Sequence, residues 1–145
     1  MTTILVLNGP NLGRLGTREP EVYGSETLAD IEASLRVGLP EGVELELRQT
    51  DDEGELIRWI HEAVDRATPV VLNPAAFTHY SYGLRDAAAL LKQAGVPLIE
   101  VHLSNPHARE RFRHTSVISA VATGVIAGFG SDSYRLAVQQ LLRIV

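Results

Sequence analysis

The chain has 145 residues, 45% of them hydrophobic, and a formal net charge of -5 at pH 7. This is enough for one good core and too short for two ordinary domains, so residues 1–145 read as a single domain. With no cysteine, disulfide frameworks, thiol nucleophiles and cysteine-ligated zinc are excluded. The longest apolar runs fall well short of the roughly 20 residues of a membrane span, and scattered arginines on an acidic chain argue against a nucleic-acid surface. The N-terminus opens into a strand pattern without a signal peptide's charged flank, which points to a cytoplasmic protein.

The first apolar, β-branched run is Thr3 to Leu7. It leads into Asn8 to Gly24, a long loop with four glycines, two prolines, two arginines and Tyr23. Thr27 to Asp30 has the form of a capping box, with Leu28, Ile31 and Leu35 on one helical face behind it. A second strand run, Val43 to Leu47, precedes a helix over Glu53 to Ala67 that carries Leu56, Ile57, Ile60, Ala63 and Val64 on a stripe. A third run, Pro69 to Leu72, is followed by a helix beginning at Thr78-His79-Tyr80-Ser81, with Leu84, Ala87, Ala88 and Leu91 inward and Gly95 and Pro97 ending it. Runs four and five are Leu98 to Val101 and Gly124 to Ala127, and Tyr134, Ala137, Val138, Leu141, Leu142 and Val145 mark a last amphipathic helix. Runs three to five are almost continuously apolar, as parallel strands covered on both faces should be. The alternation predicts an α/β fold with a doubly wound, five-stranded parallel sheet, and there is no internal repeat, linker or low-complexity segment.

In such sheets ligands bind beyond the carboxyl ends of the strands. There stand Asn8-Gly9-Pro10-Asn11 after the first run, Asn73-Pro74 after the third, and Glu100 and His102 in and after the fourth, before Ser104-Asn105. Asn, Gly and Pro make turns by themselves, yet three polar strand ends together favour a site. Glu100 and His102 are two apart and so share a strand face, where a carboxylate fixes the tautomer of an imidazole. The start of the third helix, with Thr78, Ser81, Arg85 and Asp86, reads either as simple capping or as an anion site. His107, Arg109, Arg111, Arg113 and His114 read either as a solvated basic face or as the source of a carboxylate clamp.

Other ligand classes fit less well. A Walker loop is absent, and Gly128-Phe129-Gly130 lacks the third glycine of a dinucleotide fingerprint. A phosphoacceptor signalling module needs an aspartate after the third strand and a lysine after the fifth, where this chain has Asn73 and Gly128. A flavin-binding module survives as an alternative, although the loop after the first strand is not a Ser/Thr-rich phosphate cradle. His102 and His107 lack a surrounding cluster of metal-ligand spacing.

The stretches "LNGPNLGRLGTREPEVYG", "NPAAFTHYSYGLRDA" and "IEVHLSNPHARERFRHTS" resemble the three signature segments of type II 3-dehydroquinate dehydratase, in order and at similar separations, over Ile4 to Val145. The resemblance implies a flavodoxin-like three-layer α/β/α sandwich, a cytoplasmic enzyme with no cofactor or metal, and a homododecamer built as a tetramer of trimers. The implied reaction is anti elimination of water from 3-dehydroquinate, through an enolate, to give 3-dehydroshikimate; it serves the shikimate pathway or quinate breakdown. The long loop then matches a lid whose Tyr23 is the base and whose Arg18 favours the phenolate. His102 matches the general acid, Glu100 its orienting carboxylate, and Asn11 the asparagine that holds a water at the enolate oxygen. Asn73, His79, Asp86, Leu103, Ser104 and Arg113 match substrate-binding positions, and Arg109 a second cation near the tyrosine. A phenol of ordinary pKa about 10 is only about 0.1% ionised at pH 7, and a three-unit reduction requires about 4 kcal/mol, which a guanidinium in a closed, dry site is suited to supply. The chain departs from the family's commoner choices at Gly13, Ala75, Phe77, Tyr80, Tyr82 and Pro106, none of which is a catalytic group.

Overall fold

A computed structural model describes residues 2–145. Its centre is a five-stranded sheet of β1 (Thr2–Asn8), β2 (Val43–Gln49), β3 (Val70–Asn73), β4 (Leu98–His102) and β5 (Gly124–Ala127). The strands are all parallel and lie in the order β2-β1-β3-β4-β5. Period-two alternation divides the strand residues between two cores. Leu5, Leu7, Val70, Leu72 and Leu98 face α3 (Glu53–Arg66) and α4 (Tyr82–Gln93), where Leu56, Ile60, Leu84 and Leu91 are buried. Ile4, Val6, Val71, Ile99 and Val101 face α2 (Leu28–Val37) and α5 (Asp132–Ile144), against Ile31, Leu35, Ala137 and Leu141. Burying each such side chain stabilises the fold by roughly 1.5–3 kcal/mol before conformational entropy is counted. The result is the doubly wound α/β/α sandwich that the sequence predicts.

Local signals explain the element ends. At α2, Thr27 accepts from the Asp30 N–H at 3.1 Å and Asp30 accepts from the Thr27 N–H at 3.0 Å, a complete capping box in which aspartate serves. Asp52 caps α3 and Ser81 caps α4, each accepting a backbone N–H at 3.1 Å. The helix expected from Thr78 therefore starts at Tyr82, and Ala75–His79 instead form a 3-10 turn. The Thr78 hydroxyl caps nothing; it is buried without a hydrogen-bond partner among the described residues. Ala75 holds φ at 51°, the left-handed region that favours glycine, so a methyl group is strained there.

The β4–β5 connection contains 3-10 turns at Pro106–Ala108, Arg111–His114 and Ser119–Val121 and no α-helix. β5 is an edge strand of the sheet, and with Val125 48% exposed it is not the strand covered on both faces that its apolar run predicts. Among the described residues no helix is long and apolar enough to cross a membrane.

Candidate active site

Adjacent parallel strands bring Asn8 of β1 beside Asn73 of β3, and Leu72 of β3 beside Glu100 of β4. A cleft of about 570 Å³, counted out to its open mouth, lies beyond these strand ends.

The approach of β1 to β3 depends on Gly9, whose N–H donates to the Asn73 carbonyl at 2.8 Å. A β-carbon there would stand 2.5 Å from the Pro74 carbonyl oxygen, so only glycine fits. The chain then turns at Asn11, at φ 68°, with its N–H donating to Asp51 at 2.9 Å and its residue on the cleft wall. Leu12 and Leu15 are buried in the α2/α5 core and anchor the first half of the loop. Gly16 and Gly24, both at positive φ, bracket the remainder. The stems meet at Gly16, where a β-carbon would lie 3.1 Å from the Ser25 carbonyl oxygen. Between the two glycines a single turn, α1 (Pro20–Tyr23), carries Tyr23 to the cleft. The Tyr23 ring is flanked by two guanidinium groups, Arg18 at 4.8 Å and Arg109 at 5.0 Å from its centroid. Arg109 also donates to the Ser104 hydroxyl at 3.2 Å, linking the Tyr23 loop to the residues after β4.

On β4, Glu100 and His102 share a face as period two requires, and His102 Nε2 lies 2.5 Å from a Glu100 carboxylate oxygen. Glu100 is 1% exposed. Burial by itself would raise its pKa; hydrogen bonds from His102, Ser119 and Ser116 outweigh burial and hold it below the usual carboxylate range. A carboxylate only accepts, so Nε2 donates to Glu100 and Nδ1 is the nitrogen left for the cleft, from which it can give up a proton when the ring is doubly protonated. His79 Nδ1 donates to the Thr115 carbonyl at 2.9 Å, leaving Nε2 for a ligand. Burial, with smaller contributions from His102 and Arg113, pushes the His79 pKa down and keeps the ring neutral at pH 7.

Asn73 is held from both sides. Its Nδ2 donates to the Tyr134 hydroxyl at 2.9 Å, its Oδ1 accepts from the Ala75 N–H at 3.1 Å, and Tyr134 donates to Asn8 at 2.6 Å. Burial drives the Tyr134 phenol pKa well upward, so this tyrosine is a neutral strut. Leu103, Ser104 and Arg113 complete the cleft, with Arg113 turned partly to Glu110 at 3.0 Å.

One predicted residue is not brought together with the others. Asp86 does not line this cleft; its register on α4 sends its side chain outward, 77% exposed and 3.4 Å from Arg85. Sequence reasoning missed Tyr134, which occupies an apolar stripe position, and Ser116 and Ser119, which reach Glu100 from the β4–β5 connection. Among the described residues no group of three or more His, Asp or Glu side chains could hold a metal ion.

The cleft thus combines a phenol between two cations, an imidazole on a buried carboxylate, and carboxamide and arginine side chains suited to an oxygen-rich anion. That set can remove one proton and deliver another. Comparison with known proteins agrees. The model of the family described as dehydroquinase class II matches residues 2–142. The chain is 62% identical over 139 residues to a 3-dehydroquinate dehydratase of Salinispora arenicola, covering 95% of each. It is 66% identical over 139 residues to one of Kineococcus radiotolerans, covering 95% of this chain and 93% of that one. Its fold is similar to the crystal structure of type II dehydroquinase from Propionibacterium acnes, with TM-score 0.92 and 53% identity over 97% of this chain and 96% of that chain.

Proposed function

The chain belongs to the dehydroquinase class II family, and from that premise we propose how its residues carry out the dehydration of 3-dehydroquinate to 3-dehydroshikimate. The enzyme is a hydro-lyase. Tyr23, as phenolate, takes the proton from C2, and the electron pair moves into the neighbouring ketone to form an enolate. Asn11 and an ordered water stabilise the enolate oxygen as an oxyanion site does. The enolate then collapses to the enone as the C1 hydroxyl departs with a proton from His102, which Glu100 orients; water leaves and the two transfers balance. Asn73 lies beside the leaving hydroxyl. His79, Ser104, Arg113 and the Leu103 backbone hold the substrate carboxylate and ring hydroxyls, and Arg18 and Arg109 favour the tyrosinate. Asp86, outside the cleft of its own chain, takes no part in the steps one protomer performs.

The observation that carries this reading is the placing of Tyr23, between two guanidinium groups, in the same cleft as the Glu100–His102 pair. The same reading makes residues 1–145 one catalytic domain, acting in the cytoplasm in the shikimate pathway that leads to aromatic amino acids. It also assigns a homododecamer of four trimers, supported by the apolar side chains that a single chain leaves exposed, including Tyr80, Tyr82, Phe112 and Phe129. The purified protein given 3-dehydroquinate should generate the enone absorbance of the product, and Tyr23→Phe should retain substrate binding and lose most turnover. No enone from the wild type, or Tyr23→Phe turnover within tenfold of it, overturns the assignment. A flavin module would instead purify yellow and dehydrate nothing. Light scattering checks the assembly, which a monomer would contradict.

A further inference from the structure

The buried carboxylate of Glu100 has more partners than an imidazole alone supplies. Ser119 donates to Glu100 Oε1 at 2.7 Å, and Ser116 lies 3.2 and 3.1 Å from Oε1 and Oε2. Together with His102 these hydroxyls occupy both oxygens of a group with almost no access to water. We propose that Ser116 and Ser119 are positioning residues of the acid: they fix the Glu100 carboxylate in one rotamer and as a pure acceptor, so that His102 presents Nδ1 to the departing hydroxyl.

The local chain is built for this. Ser116 and Ser119 are three residues apart on the segment that enters the 3-10 turn Ser119–Val121, and both hydroxyls reach the same carboxylate. Ser116 Oγ accepts the N–H groups of Ile118 and Ser119, each at 3.1 Å. With its lone pairs engaged, its proton is directed to Glu100. The segment cannot drift, because Ile118 is fully buried in the α3/α4 core and the Val117 N–H donates to the Thr78 carbonyl at 2.8 Å. The neighbouring Thr115 carbonyl fixes His79 in the same way. One five-residue segment, Thr115–Ser119, therefore sets the donor nitrogen of both histidines in the cleft.

The chemistry requires such support. A buried carboxylate left with one partner pays the desolvation cost of its unsatisfied oxygen, and the least costly escape is to rotate or to take the proton of His102. Either outcome disables His102 as the acid although no residue that touches substrate has been substituted. Ser119 is the cleaner probe, since Ser116 also caps its own turn.

This inference rests on the dehydratase reading, and the test separates the two. Ser119→Thr and Ser119→Val have nearly the same shape and differ in the hydroxyl. With 3-dehydroquinate as substrate, the valine variant should lose about tenfold in kcat with KM within about twofold, and the threonine variant should recover most of the loss. The same pair built on Glu100→Gln should differ by less than about twofold, because a residue acting through Glu100 has nothing left to act on. Equal kcat for the threonine and valine variants, or an equal ratio with and without Glu100, overturns the positioning role. Inactive wild type overturns the dehydratase reading instead.

Discussion

Arg109 holds its guanidinium carbon 5.0 Å from the centre of the Tyr23 ring while bonding Ser104 behind it. Arg18 lies on the same loop as the tyrosine, whereas Arg109 lies beyond β4. Arg109 is thus the cation that a distant part of the chain brings to Tyr23. Such contacts contribute about 0.5–2 kcal/mol, and a neighbouring positive charge favours a phenolate over a phenol. Arg109→Ala should therefore lower kcat at pH 7 by roughly tenfold with KM little changed. Steady-state kinetics on the variant and wild type check this; a loss confined to KM would mean that Arg109 only binds substrate.

Gly9 offers a test of how the strand ends are held together. A methyl group there would press into the Pro74 backbone, which has no side-chain freedom with which to yield. Gly9→Ala should cost about 1–3 kcal/mol, lowering Tm by several degrees, and should also reduce kcat, because Asn11 and Asn73 lie on either side of the contact. Thermal unfolding and turnover should fall together; an unchanged Tm would show that the two backbones separate freely.

Much of this cleft is visible in the sequence because it is built from short-range rules. Period two alone puts Glu100 and His102 on one face, the Thr27–Asp30 spacing alone gives the cap of α2, and alternating strands and helices locate the end of the sheet at which to look. What escapes the sequence is long-range or irregular. Ser116 and Ser119 meet Glu100 across 16 and 19 residues of chain. The 3-10 turns between them carry no 3.6-residue pattern to read. Tyr134 lies on a helical stripe among alanine, valine and leucine, where its hydroxyl gives no local sign that it reaches Asn8 and Asn73. The start of α4 is displaced because Thr78 and Ser81 are both acceptable caps, and the choice depends on the turn that Ala75–His79 makes first. Asp86 shows the converse: its motif position is legible, while its direction is set by the packing of α4.

Two groups in the cleft make stability depend on pH in the same direction. His79 and Glu100 both have folded pKa values below their ordinary ones, so the unfolded chain binds more protons at each. Their contributions are present above the ordinary pKa and are lost as pH falls through the folded value. The loss begins below about 6.5 for His79 and below about 4.5 for Glu100. Tm should therefore decline between pH 7.5 and 5.5 and more steeply below 4.5. His79→Gln, which cannot take up a proton, should flatten the upper part of that decline, and a profile unchanged by the substitution would remove His79 as its source.

The last prediction concerns the electron sink. A ketone substrate can be activated for elimination by a lysine that forms a Schiff base, and the sequence contains one lysine, Lys92. It lies in the final turn of α4 and does not line the cleft. Its ammonium donates to the Ala120 carbonyl at 3.2 Å, in the turn that precedes β5. The proposed mechanism therefore makes no imine with Lys92 and uses an enolate stabilised by hydrogen bonds. Borohydride added during turnover should leave activity intact and attach no substrate mass to the protein, and Lys92→Ala should keep full kcat. An intact-mass spectrum showing a reduced adduct on Lys92 would overturn both the enolate mechanism and the cleft as the site of reaction.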